Sequence, residues 1–313
     1  MSDNTSIAVP LDWSAANLIA LYLTRFDREH TRRAYGNDLY QFFDAQHVDL
    51  AMSRRITFVD VNAYLTDLER RGYKSSTINR RVAALRGYFD WLHALGVIDA
   101  NPAHRQLIRK VRAVRREDSA ITVLTRTQSS ALLQSVAPDL PSSVRDRALI
   151  TTLLHCVLRR SEAAAMDFEH IRQIGAHHIL DLPATKGAAQ QFVKMPTSVV
   201  QAIAEVKETY GYEAGPIWRS LSNNSLHNRL TPRSIYSIVH TAAERAGILA
   251  TVGAHTLRHT GCTLAIESGA TPQQVQAHAR HKNLETTMIY IHQRDRLRNS
   301  AADFIDIDIP PAD

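Results

Sequence analysis

The residues best suited to chemistry sit in three short stretches of the 313-residue chain. In HTLRHTGCTLAIESG, His255 and Arg258 are three apart, a spacing that puts both on one helical face and brings together two donors suited to a phosphate. Downstream, ARHKNLETTMIYIH carries His281 nine residues before Tyr290. Upstream, VLRRSEAAAMDF carries Arg159, with Arg160 beside it and Glu162 three residues on. Adjacent helical residues point about 100° apart, so Arg159 and Arg160 cannot face one phosphate equally, and either can be the one that does. Glu162 either orients an arginine or histidine or is a surface acid on a helix. An HxxR pattern alone is weak, so its weight comes from the neighbouring stretches.

The same histidines admit a second chemistry. His255, His259 and Cys262 lie at helical spacing with His278 and His281 nearby, and two histidines four apart can ligate zinc. The glutamate of HExxH is missing, however, with Thr256 in its place, and a metal site accounts for less of the chain. No metal ligand is therefore assigned. A Walker-type GxxxxGK[ST] is also absent, and no cofactor is expected.

The elements that must position these residues fall into two groups. In the first hundred residues, Tyr35, Leu39, Phe42 and Phe43 form one apolar stripe, and Phe58, Val61, Leu65 and Leu68 form another. After Ser75 and Ser76, a helix keeps Ile78, Val82, Leu85, Phe89, Leu92 and Leu95 on one face until Gly96 stops it, and Asn101-Pro102 ends the unit. With the apolar segment Leu18 to Leu23, about four helices are expected, the content of a small bundle. Their polar sides carry Arg32, Arg33, Arg80, Arg81 and Arg86, and the stretch RQLIRKVRAVRR from Arg105 to Arg116 adds six basic residues and no acid, Arg109, Lys110 and Arg112 among them. Such a connector can lie along phosphates or be a solvated linker.

From Ala120 the pattern becomes mixed α and β. Helices are expected near Gln128 to Val136 and Arg145 to His155. The pair HHILDLP and QQFVKMP, separated by ATKGAA, predicts a β-hairpin with Lys186 and Gly187 at its turn. Thr231-Pro232 and Thr271-Pro272 each pair a capping residue with proline at the first helical position, so helices should start at both.

Bulk properties agree with a folded protein that meets a polyanion. The chain is 44% hydrophobic and 22% charged, with a formal charge of +6. It contains no apolar run long enough for a membrane helix and no secretion-type start, and its two cysteines, Cys156 and Cys262, lack CxxC spacing. A cytoplasmic protein with no membrane partner is expected.

Taken together, these stretches resemble the tyrosine recombinases, or phage-type integrases, over nearly the whole chain. TRRAYGNDLYQFF and STINRRVAALRGYFDWLHALGVIDANPA look like the two signature helices of the family's core-binding domain. Arg159 in LRRSE, Lys186 in the TKG turn, His255 and Arg258 in HTLR, His281 and Tyr290 then follow in family order. The resemblance implies a mainly α fold with a small antiparallel sheet: a helical SAM-like core-binding domain near 13–104, a basic linker at 105–119, and a mixed α/β catalytic domain at 120–300, forming a C-shaped clamp on DNA. It further implies Tyr290 as nucleophile, Arg159 and Arg258 holding the scissile phosphate, Lys186 as general acid, and His255 and His281 supporting the site. Lys194 is the competing candidate for the acid.

The physics of these residue types agrees with those roles. A tyrosine with an ordinary pKa of about 10 needs cationic neighbours to stabilise both its phenolate and the phosphorane. The implied partner is double-stranded DNA bearing specific recombination sites, worked on by a homotetramer in the nucleoid. Integration, excision and dimer resolution all fit. The tail at 301–313 alternates Ile305, Ile307 and Ile309 with Asp306 and Asp308, a pattern able to add to a sheet edge of its own or a neighbouring subunit.

Four residues depart from the family pattern. Val157 stands where a glycine commonly precedes the Leu-Arg pair, Arg160 replaces an apolar residue, and Ala279-Arg280 replace Leu-Gly before His281. These departures motivate a rival: a DNA-binding accessory or regulatory protein that keeps the fold without the catalysis.

Overall fold

A computed structural model describes residues 16–111, 122–137, 140–182, 191–281 and 287. Lys186, Tyr290, Arg112 and the 301–313 tail lie outside the described residues. The chain divides into two compact units, Met1–Ser119 and Ala120–Asp313.

The first unit is wholly helical where described. Its helices are α1 (Leu18–Leu23), α2 (Glu29–Phe43), α3 (Leu50–Arg55), α4 (Phe58–Arg70) and α5 (Ser75–Ala94). Most of the expected stripes supply its core, in which Leu18, Leu39, Leu65, Ile78, Leu85 and Phe89 are buried together, while Phe58 and Leu95, at the ends of their stripes, are exposed. Helix α4 starts at a reciprocal cap, the Thr57 backbone N–H donating to the Asp60 carboxylate at 2.8 Å. Helix α3 was not among the expected elements: six residues span too few turns for an apolar period to show, and its signature is only the Asp49 cap on the Met52 N–H at 2.8 Å.

One arginine is placed differently from its expected polar face. Arg81 is only 7% exposed. It donates to the Tyr64 hydroxyl at 2.8 Å, lies over the Tyr73 ring and approaches the buried Asp38, so its charge is used inside the domain. A single apolar stripe cannot reveal such an inward arginine, because the partners that hold it come from other helices.

The second unit carries α6 (Arg126–Gln134), α7 (Ser143–His155), α8 (Arg160–Ala164), β1 (Ile171–Ile174), β2 (His177–Leu182), β3 (Gln191–Met195), α9 (Thr197–Tyr210), α10 (Pro232–Arg245), α11 (Ala254–Glu267) and α12 (Pro272–Ala279). The strands form one antiparallel sheet in the order β1-β2-β3, with Leu180 opposite Val193 and Leu182 opposite Gln191. The expected strand pair is present as β2 and β3, while its turn falls among undescribed residues. Both Thr-Pro starts are present: Thr231 caps α10 and Thr271 caps α12. Mainly helical with one small antiparallel sheet is thus the observed class.

Helix α7 is the spine, packing against α9 on one side and α11 on another. The α7–α11 contact requires Gly261, where a Cβ would come within 2.2 Å of the Leu154 carbonyl. A small cluster of Val157, Cys262, Ile266, Val275 and Ala279 ties the segment after α7 to α11 and α12. Among the described residues no helix is long and apolar enough to cross a membrane.

Candidate active site

Three chain segments meet over that small apolar cluster. The first leaves α7 at Cys156 and passes through Val157 to Arg159, which caps α8. Glu162, at the third position of α8, accepts the Arg159 backbone N–H at 2.7 Å and its guanidinium at 2.6 Å. Between the two readings of Glu162, the one in which it orients an arginine matches this geometry. Arg160 is exposed and its side chain has no hydrogen bond or ion pair among the described residues.

The second segment is the start of α11, where His255 and Arg258 share a face as the spacing predicts. Arg258 is 3% exposed. Its two terminal nitrogens donate to the main-chain carbonyls of Val157 and Ala279, so the side chain is fixed between the segment after α7 and the end of α12. The His255 and His259 rings meet edge to face with centroids 4.2 Å apart.

The third segment is the C-terminus of α12. Arg280 caps it in left-handed backbone at φ 57°, and its guanidinium donates to Glu162 at 2.7 Å and to the His278 carbonyl at 2.9 Å. His281 follows, with Nδ1 2.9 Å from the hydroxyl of Thr287, three residues before Tyr290.

Two of the departures from the family pattern now have a common geometry. Val157 has φ 43° and Arg280 φ 57°, the left-handed region that glycine occupies most easily. Each therefore keeps the backbone course a glycine would take while adding a side chain: Val157 fills the apolar cluster, and Arg280 adds a cation.

Electrostatics confirm that the three segments converge. Desolvation holds His281 down at about 4, with Arg258, Arg159, Arg280 and His255 adding to the effect in that order. His259 is likewise lowered to about 4 by desolvation, then by His255 and Arg258. His255 is lowered by desolvation, Arg258 and Arg159. Glu162 is lowered overall, because Arg280 and Arg159 outweigh the burial that opposes ionisation. Arg159, Arg258 and Arg280 thus form one electropositive cluster offset by a single carboxylate and flanked by three imidazoles, an arrangement able to bind a phosphodiester and stabilise charge gained in its transition state.

Among the described residues no group of three or more His, Cys, Asp or Glu side chains is placed to hold a metal ion. Cys262 is buried in the apolar cluster. Of the two lysine candidates, Lys194 alone lies among the described residues. Lys194 opens into a cavity of about 510 Å³ with His155, His177, His178 and His278. Gln191, which follows the segment containing Lys186, lines a different cavity of about 460 Å³ with Arg280 and His281.

With this geometry in hand, residues 122–296 match the phage integrase family, and residues 18–96 match its N-terminal SAM-like domain. The chain belongs to the phage integrase family. It is a tyrosine recombinase, an enzyme of site-specific DNA strand breakage and rejoining; the non-catalytic rival is not favoured. Relatives span almost the full length. The tyrosine recombinase XerC of Pelobacter propionicus is 30% identical, covering 86% of this chain and 86% of its own. That of Halalkalibacterium halodurans is 28% identical, covering 92% and 95%. The same fold is seen in a lambda integrase dimer bound to a COC' core site, with TM-score 0.67 at 18% identity, covering 93% of this chain and 96% of that one.

Among the candidate DNA contacts of this recombinase's helical domain, Arg32 and Arg33 are exposed and have no side-chain partner among the described residues. Arg80 is ion-paired to Asp38, Arg86 donates to the Ala103 carbonyl at 3.3 Å, and Arg109 forms a pair with Glu69 at 2.8 Å. Lys110 is exposed. The residues the sequence reading passed over are Arg280 and Thr287. Arg280 stood out only as a departure, since nothing in the spacing shows that its side chain returns to Glu162.

Proposed function

We propose that this recombinase cleaves duplex DNA at a specific site by attack of the Tyr290 hydroxyl on a backbone phosphorus, with Arg159 and Arg258 holding the nonbridging oxygens. The Tyr290 oxygen forms the new bond to phosphorus as the bond to the 5′ oxygen breaks. The products are a 3′-phosphotyrosyl adduct and a 5′ hydroxyl. Lys186 donates the proton that the leaving oxygen takes up, the proton released by the Tyr290 hydroxyl restores the lysine by way of solvent, and a 5′ hydroxyl attacking the adduct reverses the step without ATP. The observation that carries this reading is the convergence of Arg159, Arg258, His255 and His281.

Each residue then has a defined task. The arginines neutralise the phosphate before attack and the extra negative charge during it, which favours the transition state over the ground state. His255 and His281, held neutral near pH 7 by burial and cationic neighbours, offer hydrogen bonds without adding permanent charge. Lys186 is preferred to Lys194 because the sequence puts it at the turn of the expected hairpin and it matches the family's position, whereas Lys194 opens into a cavity that Arg280 and His281 do not line.

The DNA partner is a duplex recombination site, gripped by Arg32, Arg33, Arg80, Arg86 and the 109–112 connector through its phosphates, with Arg81 supporting that surface from within. A homotetramer exchanges strands between two sites in the cytoplasm, on the nucleoid. The test is a nicked suicide duplex, drawn from a randomised library by binding to the full chain. The unaltered protein should form a covalent adduct that Tyr290→Phe abolishes. Tight binding with no adduct at any nick position would overturn the catalytic reading in favour of an accessory protein.

A further inference from the structure

Arg280 is the one guanidinium of the cluster to which the reading above gives no task. It is also placed at a conformational disadvantage: it sits at φ 57°, where a Cβ is disfavoured. Its side chain is only 4% exposed, and its Nε has no hydrogen-bond partner among the described residues. What it does contact is specific. One terminal nitrogen donates to Glu162 at 2.7 Å, and the other to the His278 carbonyl at 2.9 Å. Glu162 is the same carboxylate that holds both the backbone and the guanidinium of Arg159.

The charge count gives this contact a consequence. Arg159 and Glu162 alone sum to zero, so a phosphate would meet an arginine already neutralised by its orienting acid. With Arg280 on the second carboxylate oxygen, the trio carries a net positive charge, and the two arginines share the carboxylate instead of one monopolising it. The same contact links the start of α8, where Arg159 sits, to the end of α12, where His281 begins. Glycine at position 280 would supply neither the charge nor the link.

We propose that Arg280 is a positioning residue for DNA cleavage: through Glu162 it offsets the carboxylate that orients Arg159 and locks Arg159 and His281 into one frame. This inference rests on Arg159 being a phosphate ligand. It places the contribution of Arg280 in the electrostatics of the cleavage step and not in DNA binding.

Single-turnover adduct formation on the selected nicked duplex, at saturating protein, tests it alongside duplex affinity. Adduct formed by the unaltered chain and lost in Tyr290→Phe secures the underlying reading; no adduct from the unaltered chain sinks that reading and this inference with it. Given the adduct, Arg280→Gly should slow its formation by about tenfold or more while duplex affinity stays within about twofold, and Arg280→Lys should recover most of the rate. Because Arg280 acts through Glu162, the pair Glu162→Gln with Arg280→Gly should be no slower than Glu162→Gln alone. Wild-type speed in Arg280→Gly, or losses that simply multiply in the double variant, would overturn the proposal. Should Arg280→Gly fail to fold, Arg280→Lys against Arg280→Gln decides. Both fill similar space, and equal rates would remove any role for the charge.

Discussion

Arg258 donates to the main-chain carbonyl of Val157, a residue 101 positions earlier that is held at φ 43°. Together with its bond to the Ala279 carbonyl, this makes Arg258 a strut between two segments in addition to the role proposed for it at the phosphate. Arg258→Lys keeps the charge but not the fork, so one of the two carbonyls loses its donor. The loss should cost about 1–3 kcal/mol, the penalty of leaving a buried acceptor unmade. Thermal unfolding should show the drop, and adduct formation should fall further than stability alone explains. A variant as stable and as fast as the parent would show that the strut is dispensable.

The choice between Arg159 and Arg160 is open to direct measurement. Arg159 is bonded to Glu162 and lies within electrostatic reach of Arg258, His255 and His281, whereas Arg160 has none of these relations. Arg159→Ala should lower the rate of adduct formation by about 10²–10³, the range seen when a transition-state donor is removed. Arg160→Ala should stay within about threefold. Its replacement of an apolar residue matters little at an exposed helical position. The opposite ranking would assign the phosphate to Arg160.

Why some of this was legible in sequence and some was not follows from where the information resides. The HxxR face, the Thr-Pro helix starts and the α5 stripe are local: each rests on a period or a cap within a few residues. The β2–β3 pairing was legible because alternation and a turn lie side by side. Strand β1 was not, since its four residues are mostly exposed and show no inward alternation. Arg81 and Arg280 carry charge that the sequence could place only on a surface. Their inward courses depend on Asp38, Tyr64 and Glu162, partners from other elements that periodicity does not register.

Close packing at Gly261 links stability to the site. A Cβ there would lie 2.2 Å from the Leu154 carbonyl and 2.7 Å from a methyl carbon of Val157. Gly261→Ala must therefore push α7 or the Val157 turn away from α11, at a cost of about 1–3 kcal/mol. Since Val157 leads directly to Arg159 and receives Arg258, a shift there misplaces both arginines. Misplacement on the order of an ångström costs about a hundredfold in rate. Denaturant unfolding with parallel adduct assays should show cleavage falling by more than stability. An alanine variant that unfolds earlier yet cleaves normally would detach Gly261 from the catalytic geometry.

Acidification should destabilise the free protein over a defined window. Burial and cationic neighbours lower His259 and His281 to about 4, against 6.5 for an unperturbed imidazole. Between those values the unfolded chain takes up protons that the folded chain refuses, so stability is complete above about pH 6.5 and declines as pH falls toward 4. Each histidine contributes a slope of at most about 1.4 kcal/mol per pH unit, and less for rings that are only half-buried. At the lower end Glu162 adds to the decline, because its folded pKa lies below the ordinary carboxylate value and protonation breaks its pairs with Arg159 and Arg280. Unfolding free energies measured from pH 7.5 to 4 should follow this course, and His259→Gln should flatten the upper part of the decline by removing one of the lowered imidazoles. A profile with the same slope in both proteins would mean that His259 titrates normally in the native state, and that the electropositive cluster is weaker than its geometry indicates.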